Sequence, residues 1–129
     1  LQTFICTLIG ILGAVESFVF GIWQESLTLL VVAMGIDYIT GVSAAIRQKS
    51  GLNSRIGSYG LARKGLMLLV ILLAHRTDKL LEIDLAMNGA VYFYLANELI
   101  SITENLGRLG VPLPDKLREL IEVLKNKSK

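Results

Sequence analysis

Four acidic side chains lie inside apolar stretches of this chain: Glu16, Asp37, Glu98 and Glu104. A charged group at the centre of a bilayer costs roughly 2.5–3.5 kcal/mol on insertion scales, so each must face protein or water and is a candidate for function. Such a carboxyl group can act as a protonation-linked switch or as a polar tie between helices. A structural tie is the better reading for Glu16, while Asp37 suits either role. Tyr94, Asn97, Ser101 and Glu104 follow one another at steps of three and four, with Glu98 and Asn105 alongside. On a helix these residues form a polar line that must face a bundle interior, a neighbouring subunit or an aqueous path. Glu104 and Asn105 are close enough to the end of their stretch to sit among headgroups.

Other chemistry is scarce. His75 is the only histidine and Cys6 the only cysteine, so neither a His/Cys zinc site nor a disulfide can be built within one chain. A Ser–His–Asp triad would depend on His75, beside Arg76 at the end of an apolar stretch. Gly60 and Gly65 have the spacing that opens a phosphate-binding loop, but Leu66 stands where lysine is required. No catalytic residue, cofactor or metal is expected.

The elements that carry the acids are membrane-like. Hydrophobic residues make up 53% of the 129 and charged residues 19%, and the mean hydropathy is +0.58. A soluble domain carries about 25% charge, so part of this apolar surface must face lipid. Residues 1–23, 27–46, 61–81 and 85–106 are each near the roughly 20 residues that cross a bilayer as helix. The third stretch reaches that length only by running past His75, Arg76, Asp78 and Lys79, with Arg63 and Lys64 snorkelling at its other end. Residues 47–59 read as a loop, Asp84 as the N-cap of the fourth helix, and Gly107, Gly110, Pro112 and Pro114 as its terminators. The first stretch lacks the basic start and cleavage site of a signal peptide.

Charge sets the expected orientation. Arg47, Lys49, Arg55, Arg63 and Lys64 lie in or beside the central connection without an acid, and the tail from residue 107 is also basic. The positive-inside rule places both in the cytoplasm, with the N-terminus on the same side. The cations of the central loop suit anionic lipid headgroups better than nucleic acid. The expected architecture is thus an all-α membrane protein: four transmembrane helices over 1–106, a cytoplasmic tail over 107–129, and both termini cytoplasmic. The tail contains an amphipathic helix at 115–125, in which Leu117, Leu120, Ile121 and Leu124 form an apolar stripe. Mixed charges on its other face favour a protein surface over lipid.

Small residues form two seams. Gly10, Ala14, Ser17 and Gly21 follow Thr3 and Thr7 on the first helix, and Ala33, Asp37, Gly41 and Ala44 line the second. Such stripes let membrane helices approach closely, within one protomer or between protomers.

Several runs resemble the phage-holin and toxin-secretion-holin family. They are Thr3-Phe4-Ile5-Cys6-Thr7, Asp37-Tyr38-Ile39-Thr40-Gly41-Val42, Gly60-Leu61-Ala62-Arg63-Lys64 and Tyr92-Phe93-Tyr94-Leu95-Ala96-Asn97-Glu98. The Gly110-Val111-Pro112-Leu113-Pro114 exit completes the set. The resemblance implies a non-enzymatic, multi-pass protein of the bacterial cytoplasmic membrane. It implies self-assembly into lesions through which an endolysin or a toxin passes, without necessary direct contact between holin and cargo. Pore-lining or buried polar roles for Glu16, Asp37, Tyr94, Asn97, Glu98, Ser101 and Glu104 come from helix faces, not from the family pattern. Two other classes compete. A small proton-coupled multidrug antiporter would use Glu16, although its aromatic surroundings are thin. A scaffold subunit would dock a partner on the tail helix.

Overall fold

The computed structural model describes residues 1–48 and 54–127. Lys49 and Lys129 lie outside the described residues, as do the side chains of Arg55, Leu124, Lys125 and Lys127. The order of elements is α1 (Gln2–Phe20), α2 (Glu25–Arg47), α3 (Ser54–Leu81), α4 (Ala86–Arg108) and α5 (Asp115–Lys127). All of them are helices. By length and composition α1, α2 and Gly57–Leu81 of α3 are long and apolar enough to cross a membrane. At 23 residues α4 has the length, about 34 Å at 1.5 Å per residue, but a more polar composition.

The core forms where α2 packs along α4, with α3 laid against them. Leu27, Leu30, Met34, Asp37, Gly41 and Ala44 on α2 alternate by steps of three and four. Met87, Val91, Leu95, Glu98, Ile102 and Asn105 form the matching line on α4. A mean step of 3.5 keeps two such lines facing each other along the crossing. One half of the seam is apolar: Leu27, Leu30, Ala33, Met34, Met87, Val91 and Leu95 cluster around Ile71 of α3. The other half holds Asp37, Glu98 and Asn105, so the polar groups continue an inward stripe already set by the apolar ones.

The connections differ from expectation in two places. The stretch 47–59 is not all loop, because α3 begins at Ser54, seven residues before the expected start at 61. The physical consequence is that Lys64 is carried ten residues into the helix, about 15 Å along its axis. Asp84, the expected N-cap, does not cap α4; the cap position is Leu85 and has no side-chain bond. The cap comes from the preceding helix instead. Buried Asp78 accepts hydrogen bonds from the backbone N–H of Ala86 at 2.9 Å and of Met87 at 2.8 Å. A carboxylate at these orphan donors also meets the positive end of the helix dipole.

Helix α1 packs on α3 alone, and none of its residues is buried. Its attachment lies near its C-terminal end. Gly21 ends the helix at φ 69°, ψ −140°, a backbone state close to glycine-only territory. A Cβ there would stand 2.6 Å from Cε1 of His75, and Arg76 lies over the Phe18 ring at 4.3 Å. The turn into α2 is braced by Phe20 and Trp23 in an edge-to-face pair, and by Trp23 Nε1 donating to Thr28 Oγ1 at 2.6 Å. At the opposite end of the bundle Arg47 donates to the carbonyl of Leu109, and Arg108 donates to Gln48 at 3.0 Å. These bonds tie the C-termini of α2 and α4 together.

Candidate functional site

Three helices converge on one ammonium group. Lys64 Nζ of α3 lies 2.8 Å from Asp37 Oδ2 of α2 and 2.7 Å from Glu98 Oε2 of α4. The side chains of Lys64, Asp37 and Glu98 are 15%, 14% and 3% exposed. Asp37 and Glu98 each lie twelve residues into their helices, about 18 Å from the end that carries the α3–α4 turn. For Asp37, on the candidate span α2, this is mid-bilayer depth.

Asn105 completes the second side of Asp37. Its Nδ2 lies 2.9 Å from Asp37 Oδ1, 3.1 Å from the Asp37 carbonyl and 3.0 Å from Thr40 Oγ1. Thr40 in turn donates to the Ile36 carbonyl at 2.7 Å. Gly41 lies against this amide, whose Nδ2 is 3.5 Å from where a Cβ would stand, an ordinary contact distance. Two carboxylates and one ammonium leave a formal excess of one negative charge, held by hydrogen bonds from Lys64 and Asn105. Lys64 is the cation that makes two acids tolerable in one apolar bundle, because an ion pair broken in such surroundings leaves an uncompensated charge.

The structure separates the candidate residues into three groups. Asp37 and Glu98 meet, and Gly41, Ala33 and Ala44 lie along the α2–α4 seam with both alanines buried. Tyr94 and Ser101 are partly buried, and Tyr94 packs against the core. Asn97 and Glu104 are exposed, one heptad apart on α4. On α1, Gly10, Ala14 and Ser17 are exposed, with open space around Gly10; Gly21 is taken up by His75, and Glu16 is only partly buried. Glu16 stands apart from the triad, and Trp23, seven residues further on, is engaged with Phe20 and Thr28.

Lys64, a snorkelling cytoplasmic cation by sequence, lies inside the bundle. Asn105, which the sequence sets either beside the inward polar line or among headgroups, is buried against Asp37. The available signal was arithmetic: two acids within apolar helices need a cation at similar depth, and Lys64 meets that need once α3 starts at Ser54. Asn105 falls seven residues after Glu98, hence on the same side of α4. Among the described residues no three of His, Cys, Asp and Glu gather into a metal site. An open cavity of about 450 Å³ lies at the other end of the bundle, between the α1–α2 and α3–α4 turns, and is lined by His75, Asp78, Glu82 and Asp84 among others.

The chain matches the model of the bacteriophage holin family over residues 14–126. It is 41% identical over 133 aligned residues to an uncharacterized protein of Clostridium perfringens (strain 13), covering 96% of this chain and 94% of that one. A 14.9 kDa protein encoded in the nagH 3' region of Clostridium perfringens is 42% identical, with 90% and 89% covered. A probable holin of Bacillus phage phi105 is 39% identical over 101 residues, covering 78% of this chain and 74% of the phage protein. No solved structure matches. With its helical membrane architecture and a match that runs from the middle of α1 to the end of α5, the chain belongs to the bacteriophage holin family.

Proposed function

We propose that this protein is a holin that assembles with its own copies in the bacterial cytoplasmic membrane and opens lesions through which an endolysin or a toxin crosses. The family match over residues 14–126 carries the reading, and the surface chemistry supports it. Asn97 and Glu104 lie on the open face of α4, beside Phe93 and away from the closed triad. Lipid cannot satisfy an amide at the depth of Asn97, whereas a second copy or a water-filled path can. The small-residue side of α1 is open for the close approach that drives helix association in lipid.

In this reading α4 also crosses, giving four spans with both termini in the cytoplasm, and the Asp37–Lys64–Glu98 triad holds each protomer together while it accumulates. Lysis is then a property of the assembly, and no catalytic residue is required.

The test is inducible expression in a bacterium with a potential-sensitive dye. Collapse of the membrane potential, and lysis on co-expression of an endolysin, are expected. A potential that stays intact at high membrane levels of the protein excludes the lesion. For topology, single cysteines at 25, 53, 83 and 126 in a Cys6→Ser background should be labelled from outside at 25 and 83 only.

A further inference from the structure

Helix α5 sorts its residues by charge around its axis. Ile121 is buried where α5 meets α4, but Leu117, Leu120 and Val123 remain 42%, 62% and 51% exposed. At 100° per residue, Asp115, Glu119 and Glu122 fall opposite the face of Leu117, Leu120 and Ile121; Arg118 borders that face on the Ile121 side and Lys116 on the Leu120 side, with Val123 beyond Lys116 at the margin. In the sequence Lys127 and Lys125 follow those two cations by eleven and seven residues, which repeats the arrangement. Long cations thus flank the apolar face on both sides, and the shorter acids occupy the far pole.

That sorting distinguishes one kind of surface from another. A helix partner would meet flanking positions of both signs, which pair across the interface. A bilayer surface favours cations on both flanks, because Lys and Arg stems lie over apolar surface while their heads reach phosphate, and acids point to water. The position of α5 agrees. Six residues separate it from α4, the chain exit is fixed by Arg47 on the Leu109 carbonyl, and Gly110 at φ 76° with Pro112 and Pro114 redirects the chain.

We infer that α5 lies flat in the cytoplasmic membrane interface, with Leu117 and Leu120 in the acyl boundary, Val123 at its margin, and Lys116 and Arg118 at headgroup phosphates. The mixed charges that favoured a protein surface become a lipid signal once their angular order is taken into account. The inference rests on the reading in which α4 reaches the membrane surface at Arg108.

The test uses the full chain in a Cys6→Ser background, reconstituted in vesicles of phosphatidylcholine and phosphatidylglycerol. Nitroxide labels are placed singly at Leu117→Cys, Leu120→Cys, Val123→Cys, Glu119→Cys and Glu122→Cys. Relaxation by dissolved oxygen should dominate at 117 and 120, relaxation by a water-soluble nickel chelate should dominate at 119 and 122, and 123 should fall between the two. Equal access of the chelate to all five positions overturns the inference, as does exclusion of both reagents from 117 and 120, which marks a protein cover. A label at Tyr92→Cys, on the exposed side of α4, reports separately on the α4 span. Chelate access there defeats the four-span reading, whatever the five α5 positions give.

Discussion

Lys64 is the residue on which the interior depends. Replacing it by methionine keeps most of the stem but leaves Asp37 and Glu98 facing one another without a counter-charge. Removing one partner of a buried pair typically costs about 3–5 kcal/mol, so Lys64→Met should markedly lower the unfolding temperature of the detergent-purified protein. Adding Asp37→Asn and Glu98→Gln should restore most of the loss, because the remaining groups can hydrogen-bond without charge. If the triple variant is as unstable as the single one, the triad is not an electrostatic unit. Gly21 is constrained from two directions, by its backbone conformation and by the His75 ring 2.6 Å from any added Cβ. Gly21→Ala should therefore cost about 1–3 kcal/mol. Adding His75→Ala should recover only the steric part of that loss, as read in the same melting experiment.

At the scale of elements, the capping of α4 gives the sharpest contrast between neighbouring acids. Asp78 holds the first two N–H groups of the helix, whereas Asp84 is exposed and offers its backbone carbonyl to Asn88. Asp78→Ala should lose about 0.5–2 kcal/mol, the usual value of a cap, and Asp84→Ala should change little; hydrogen exchange at Ala86 and Met87 would show where the loss falls. Apolar periodicity makes α2 and α4 legible in the sequence, and Gly110, Pro112 and Pro114 mark the break before α5, whereas Gly107, expected as a terminator, lies inside α4. The sequence marks α3 poorly. Its first turns are rich in Gly, Ser and Arg, which have the composition of a loop, and only packing makes them helix: Tyr38 Oη lies 3.3 Å from where a Gly57 Cβ would stand. That early start decides the depth of Lys64, so misplacing one helix boundary hid the centre of the site. Asp78 was hidden for a similar reason, since a cap borrowed from eight residues upstream leaves no local pattern.

For the whole molecule, the interior and the outside ask different things of the same helix. On α4 the side bearing Glu98 and Asn105 is closed by α2 and α3, while Asn97 and Glu104 remain open. Asn97→Leu should leave the melting temperature of the isolated protein unchanged, while cross-linked oligomers and dye-reported depolarisation both decline. Unchanged depolarisation at equal protein levels would separate Asn97 from assembly. The remaining helix stands in another relation to the bundle. Apart from Phe20 at its end, α1 places no side chain against the core cluster, and its hold on α3 is concentrated around Phe18, Gly21, His75 and Arg76. Shortening the chain from its beginning would strip away exposed apolar surface and leave the packing of α2, α3 and α4 standing, so the leading helix bears on what the protein meets outside itself more than on how its interior holds.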